Sequence, residues 1–121
     1  MVDKGNKSYH KLILWQKLTE LLKLTYELTA KLPPSEQFGL ISQMRRAIVS
    51  VISNFVEGYM KQSIREKKHF MEISETSLLE LEAQSEVCMI LDYWKQTEYE
   101  FYDKKRSEVG YFIYRYRVNI K

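Results

Sequence analysis

Cysteine, histidine, glycine and proline are all scarce in this 121-residue chain, and each shortage removes a class of explanation. The lone Cys88 cannot close an intramolecular disulfide, which suits a reducing cytoplasm. Its apolar neighbours make it a small buried hydrophobe rather than a nucleophile. One cysteine and two histidines cannot furnish a structural zinc site. Glu66 and His69 form one Glu-x-x-His pair, but a di-iron bundle needs a second such pair and glutamates from two further helices. The four glycines, at positions 5, 39, 58 and 110, stand alone, so neither a P-loop nor a GxGxxG turn is present. No serine, histidine and acid lie close enough in sequence to suggest a triad. The expectation is a protein with no cofactor, no metal and no enzymatic activity. Long apolar runs are missing too: nothing approaches the roughly 18 residues of a membrane span, and the N-terminus has no apolar signal core. A cytoplasmic protein without membrane partners is expected.

What is present is helical. With 45% hydrophobic and 29% charged residues, the chain has the composition and length of one globular domain. A polar tail over residues 1–8 is expected to be flexible, with a single domain over residues 9–121. Leucines at 18, 21, 22, 28 and 32 set a helical period from about Leu12, which Pro33 and Pro34 stop. A second helix runs from about Gly39 to Tyr59. Ser63-Ile-Arg-Glu66 predicts a capping box opening a third, with Phe70, Ile73, Ser77, Leu81, Gln84, Cys88 and Leu91 on its inner face. Thr97-Glu-Tyr-Glu100 predicts another box opening a fourth, with Val109, Phe112, Ile113, Tyr116 and Ile120 inward. Four long helices with short connections define an all-α fold, an antiparallel up-down-up-down four-helix bundle.

The second helix is unusually apolar. Met44, Ile48, Val51 and Phe55 form its core stripe, and Ile41, Val49, Ile52 and Val56 widen it to roughly 200°, against the ~100° of an ordinary surface helix. Monomers seldom leave such a patch bare. These four residues are therefore the expected interface of a ring-like homo-oligomer. Arg45, inside the arc, is expected to pair with an acid such as Glu80 or Glu82, or to reach an interface rim. On the polar side, Arg46, Ser50, Asn54 and Glu57 recur at helical spacing. They could hold a ligand, but the simpler reading is a hydrogen-bonded network that fixes helix or subunit register.

Net charge is only +3, yet it is unevenly distributed: residues 70–100 carry eight acids against Lys95 alone. Two clusters are basic. Lys61, Arg65, Lys67 and Lys68 fall at the second turn, and Lys104, Lys105, Arg106, Arg115 and Arg117 lie in the last helix beside Tyr111 and Tyr114. Cations neutralise phosphate and exposed tyrosines stack on unpaired bases, so RNA is one expected partner. A protein partner recruited to a charged scaffold is the alternative.

The segments WQK at 15–17, FGLISQMRRAIVS at 38–50, SNFVEGY at 53–59 and SLLELEAQ at 77–84 resemble the 23S ribosomal RNA intervening-sequence protein family. The resemblance covers about residues 9–94; the last helix is similar only in pattern. It implies a small bacterial four-helix bundle, a homopentamer, and an association with ribosomal RNA suggested by where such genes reside. It assigns no activity. The family commonly has proline where Ile52 stands, alanine at Val56 and glycine near Met60, so a straighter second helix is expected here.

Overall fold

The computed structural model describes residues 7–121. Most of the expected flexible tail, residues 1–6, lies outside that range. Ser8 already opens a short 3-10 turn, Ser8–Lys11. Four α-helices follow: α1 Ile13–Thr29, α2 Ser42–Met60, α3 Ile64–Ile90 and α4 Gln96–Val118. No strand occurs among the described residues.

Helix α1 ends before Pro33-Pro34, and the chain then takes a 3-10 turn, Pro34–Glu36, and a wide π-type turn, Gln37–Ile41, before entering α2. Glu36 organises this entry: one carboxylate oxygen accepts from the Leu40 amide (3.3 Å) and the other from the Tyr93 hydroxyl (2.9 Å). Helix α2 is continuous through Ile52. Ser63 caps α3, its hydroxyl accepting from the Glu66 amide at 3.2 Å, but the reciprocal half of the expected box is missing, and the Glu66 carboxylate faces Lys61 instead. The expected Thr97–Glu100 box does not form. Lys95 is the residue before α4, and its amide donates to Glu98 Oε1 at 2.9 Å. Lys31 draws the same carboxylate and, with the Lys95 amide, holds the Glu98 carboxyl below its usual range.

Each helix packs on its neighbours in chain order, and α1 closes the cycle on α4. Along α1–α4, α2–α3 and α3–α4, contacts run in opposite sequence order. Lys17 meets Glu108, Thr25 meets Tyr102 and Lys31 meets Glu98. Met44 meets Cys88, Ser50 meets Ser77, and Gly58 lies against Met71. Glu82 meets Arg106 and Glu75 meets Arg117.

The core is Leu14, Leu18, Leu21 and Leu28 of α1; Met44, Ile48, Val51 and Phe55 of α2; Met71, Leu78, Leu81 and Cys88 of α3; and Tyr102, Val109 and Ile113 of α4, with Trp94 closing one end. The α3 face is rotated from its expected position. Ser77, Leu81 and Cys88 are buried, but Phe70, Ile73 and Gln84 are only half-buried and Leu91 is exposed, while Met71, Ser74, Leu78 and Ser85 turn inward. Small residues let α2 and α3 approach most closely: Gly58 and Ala47 on one side, and Ser74, Ser77 and Ser85 on the other. The Ser74 hydroxyl donates across the seam to the Val51 carbonyl at 2.7 Å.

Candidate nucleic-acid and assembly surfaces

The start of α1, the end of α2, the start of α3 and the end of α4 share one end of the bundle. Aromatic rings tie them together: Tyr9 packs on Trp15 and Tyr59, and Tyr116 on Phe55 and Tyr59. Here the two basic clusters part company. At the second turn, Arg65 and Lys68 are exposed and have no acid partner among the described residues. Lys61 bridges Glu57 and Glu66, at 3.7 and 3.8 Å. Lys67 donates to the Tyr59 carbonyl at the end of α2 (2.8 Å), where the helix dipole welcomes a cation.

In α4, three of the five candidate cations are already matched. Lys105 reaches Glu20, Arg106 is held by Asp103 and Glu82, and Arg117 by Glu75. Lys104 is exposed and unpaired with any acid, and Arg115 contacts only the Tyr111 hydroxyl (2.8 Å). Tyr111 and Tyr114 are about half exposed. What the basic end gains is residues that sequence reading left out. Lys11 and Lys121 line a cavity of about 710 Å³ together with Lys67 and Arg115, over a floor that includes Leu12, Ile13 and Ile120. Lys11 precedes α1 and Lys121 follows α4, so only the fold brings them together. The opposite end carries Glu36, Asp92, Glu98 and Glu100 against Lys31 and Lys95.

The polar strip of α2 splits. Ser50 and Asn54 join Ser77 of α3: the two serine hydroxyls share a 2.8 Å bond, and the Asn54 amide donates to the Ser50 carbonyl and hydroxyl. Arg46 stands outside this network, exposed, and Glu57 turns to Lys61. A hollow of about 290 Å³ beside the serines is lined by Gln43, Arg46, Glu80 and Gln84 among others. The buried Gln84 Oε1 has no donor among the described residues. Arg45 takes neither of its expected carboxylates. It lies over the Tyr26 ring, 4.5 Å from the centroid, and donates to the Thr29 hydroxyl and the Tyr26 carbonyl. A nearby hydroxyl, a carbonyl near the end of α1 and an aromatic face outcompete a distant acid.

Two apolar surfaces remain. Ile41, Ile52 and Val56 are half-buried against the chain's own core, while Val49 is 45% exposed. Together with Tyr26 and Met60 they make a shallow apolar seam between α1 and α2. The second surface was missed by sequence reading. Leu79, Ala83, Val87 and Ile90 recur every three or four residues on the side of α3 opposite its core face. Leu79 is 63% exposed and Ile90 71%.

Among the described residues no group of histidine, cysteine and acids could hold a metal ion, and no helix is long and apolar enough to cross a membrane. The fold and surfaces define a small helical bundle with one cationic end and two uncovered apolar faces. The 23S rRNA-intervening sequence protein family model matches residues 10–115, and the chain belongs to that family. A solved structure from Bacteroides thetaiotaomicron, described as a protein of unknown function from the S23 ribosomal protein family, has the same fold. It superposes with a TM-score of 0.80 over 87% of this chain and 98% of its own, at 19% identity. No curated protein matches the chain.

Proposed function

We propose that this chain is a non-enzymatic cytoplasmic binding protein that works without metal or cofactor and engages structured RNA through its cationic end. The observation that carries this reading is convergence. Arg65, Lys67 and Lys68 belong to the start of α3, Lys11 to the start of the chain, and Arg115 and Lys121 to its last turns, yet they share one end of the molecule. The 23S rRNA intervening sequence in the family's description names the RNA to try first.

In this reading the chain is an antiparallel up-down-up-down bundle, which the reversed order of contacts along three of its helix pairs supports, and bundles assemble into a ring-like homo-oligomer. The family resemblance suggests five copies. A closed ring of one chain needs two different, complementary patches on each copy. The α1–α2 seam, with Ile41, Val49, Ile52 and Val56, supplies one, and the outer stripe of α3 the other. Lys23 and Arg46 flank the seam and Glu80 and Glu86 the stripe, so their charges are complementary. Repetition around a ring would turn one weak phosphate site into a multivalent one.

The test is affinity for a ribosomal RNA hairpin across a salt series, on protein whose mass is fixed by light scattering. Binding is expected to weaken steeply with salt, and the double variant Arg65→Glu, Lys68→Glu to flatten the slope by about two phosphate contacts. An intact oligomer that ignores the hairpin at low salt would sink the reading. A second reading, a scaffold for a protein partner, is favoured by Lys105, Arg106 and Arg117, whose acid partners leave them little charge for phosphate.

A further inference from the structure

The cavity at the basic end differs in kind from the rest of that surface. Its walls are Leu12, Ile13, Leu14, Phe112, Tyr116 and Ile120, brought together where the 3-10 turn and first turn of α1 lie against the last turns of α4. Four cations, Lys11, Lys67, Arg115 and Lys121, stand around it, and among the described residues no acidic side chain does. None of the four is paired with a carboxylate among the described residues. Elsewhere Lys17, Lys31, Lys61, Lys105, Arg106 and Arg117 all have acid partners. Lys67 spends one of its three protons on the Tyr59 carbonyl, and Arg115 meets only a neutral phenol, so both charges remain uncompensated.

We propose that this cavity is a binding site for a small amphipathic anion of the long-chain carboxylate class, the acyl tail lying on the aliphatic floor and the head group held at the cationic rim. At about 710 Å³ the space falls in the range of small-molecule sites, which are typically apolar with a few charged groups that fix orientation. The floor argues for a tail rather than a nucleobase. It is mostly aliphatic, and Asn119 is its only neutral amide, whereas a base needs several partners along its edge. Four cations around an apolar floor favour an anionic head group over an uncharged one, because a carboxylate there gains charge-assisted hydrogen bonds. This inference shares Lys11, Lys67, Arg115 and Lys121 with the RNA reading, but that reading also uses Arg65 and Lys68, which do not line the cavity.

The experiment is calorimetric titration of the full chain with laurate below its micelle concentration, alongside dodecanol and uridine monophosphate, with NMR of the isoleucine methyl groups. One laurate per chain is expected, with shifts at Ile13 and Ile120. Dodecanol should bind at least about tenfold more weakly, the worth of one charge-assisted hydrogen bond. Arg115→Glu should weaken laurate by a similar factor, with its helical circular dichroism unchanged. Arg65→Glu should leave laurate binding intact while lowering affinity for RNA, so that failure of one reading is told from failure of the other. Equal affinity for dodecanol, methyl shifts away from the cavity, or no laurate bound by a correctly folded chain would overturn the proposal. Displacement of laurate by uridine monophosphate would also overturn it and hand the cavity to the RNA surface.

Discussion

At the scale of single residues, burial rather than chemistry governs the groups that look reactive. Cys88 is fully buried, its thiol donating weakly to Met44 Sδ at 3.8 Å. Burial, and secondarily the Glu36 carboxylate, pushes it from 9.0 up to about 12. The thiolate is the nucleophile, so native Cys88 should resist iodoacetamide at pH 8 over a time in which the urea-unfolded chain is fully alkylated. Tyr102 is raised for the same reason, opposed by the hydrogen bond with Thr25. Both groups are neutral when protonated and hold their protons more tightly folded than unfolded. Their contribution is therefore intact below the unfolded values and is lost as pH rises past about 9 for Cys88 and 10 for Tyr102. Urea midpoints should be flat through neutrality and fall steadily above pH 9. Cys88→Ala, which removes the first of these titrations, should delay the fall even though its cavity lowers stability at pH 7.

At the scale of elements, two glycines with the same helix propensity should answer the same substitution in opposite ways. A Cβ on Gly58 would stand 2.7 Å from Met71 Cε, 2.9 Å from Phe70 Cβ and 3.1 Å from the Lys67 carbonyl. The last two belong to the α3 backbone or sit directly on it, so α2 and α3 must part. Gly58→Ala should lose about 1–3 kcal/mol despite alanine's better propensity. On Gly110 a Cβ would meet only Leu78 Cδ2, at 3.2 Å, the far end of a flexible side chain. Gly110→Ala should be neutral or gain up to about 1 kcal/mol. Thermal unfolding of the pair decides it, and a loss at Gly110 matching that at Gly58 would refute the distinction. The helices themselves were readable in the sequence because leucine periodicity, the double proline and the Ser63 cap are local signals. The α4 start was misread because Thr97 and Glu100 offer a box as good in sequence as the Lys95–Glu98 contact, and Lys31, far away in the chain, decides which glutamate is used. The α3 face was misread because that helix is apolar on two sides and periodicity cannot say which is inward. Small Ser74 and Ser85 occupy the close contact, while large Leu79 and Ile90 stay outside.

At the scale of the whole molecule, charge that alternates along the sequence becomes polarity along the bundle, because successive helices return basic and acidic segments to opposite ends. Lys61 through Lys68 announced the basic end as a cluster, whereas Lys11, Arg115 and Lys121 gave no sign of sharing it. The candidate interface of α2 was legible only as excess apolar arc, and Ile41, Ile52 and Val56 of that arc are half-buried against the chain's own core. The proposed homo-oligomer has two ways of assembling. If like meets like, the α1–α2 seam of one copy packs on the same seam of another and the α3 stripe is a spectator. If the seam takes the stripe, each copy offers two different faces and the assembly closes as a ring. Leu79 and Ile90 are largely exposed, so Leu79→Arg with Ile90→Arg should change monomer stability by no more than about 0.5 kcal/mol. The same holds roughly for Val49→Arg. In the ring, either variant alone breaks every contact and light scattering should report monomers. Mixing the two variants restores one good seam facing one good stripe, and only one, so the mixture should form a one-to-one dimer and stop there. A like-on-like assembly predicts otherwise: the α3 variant remains fully assembled, and mixing changes nothing.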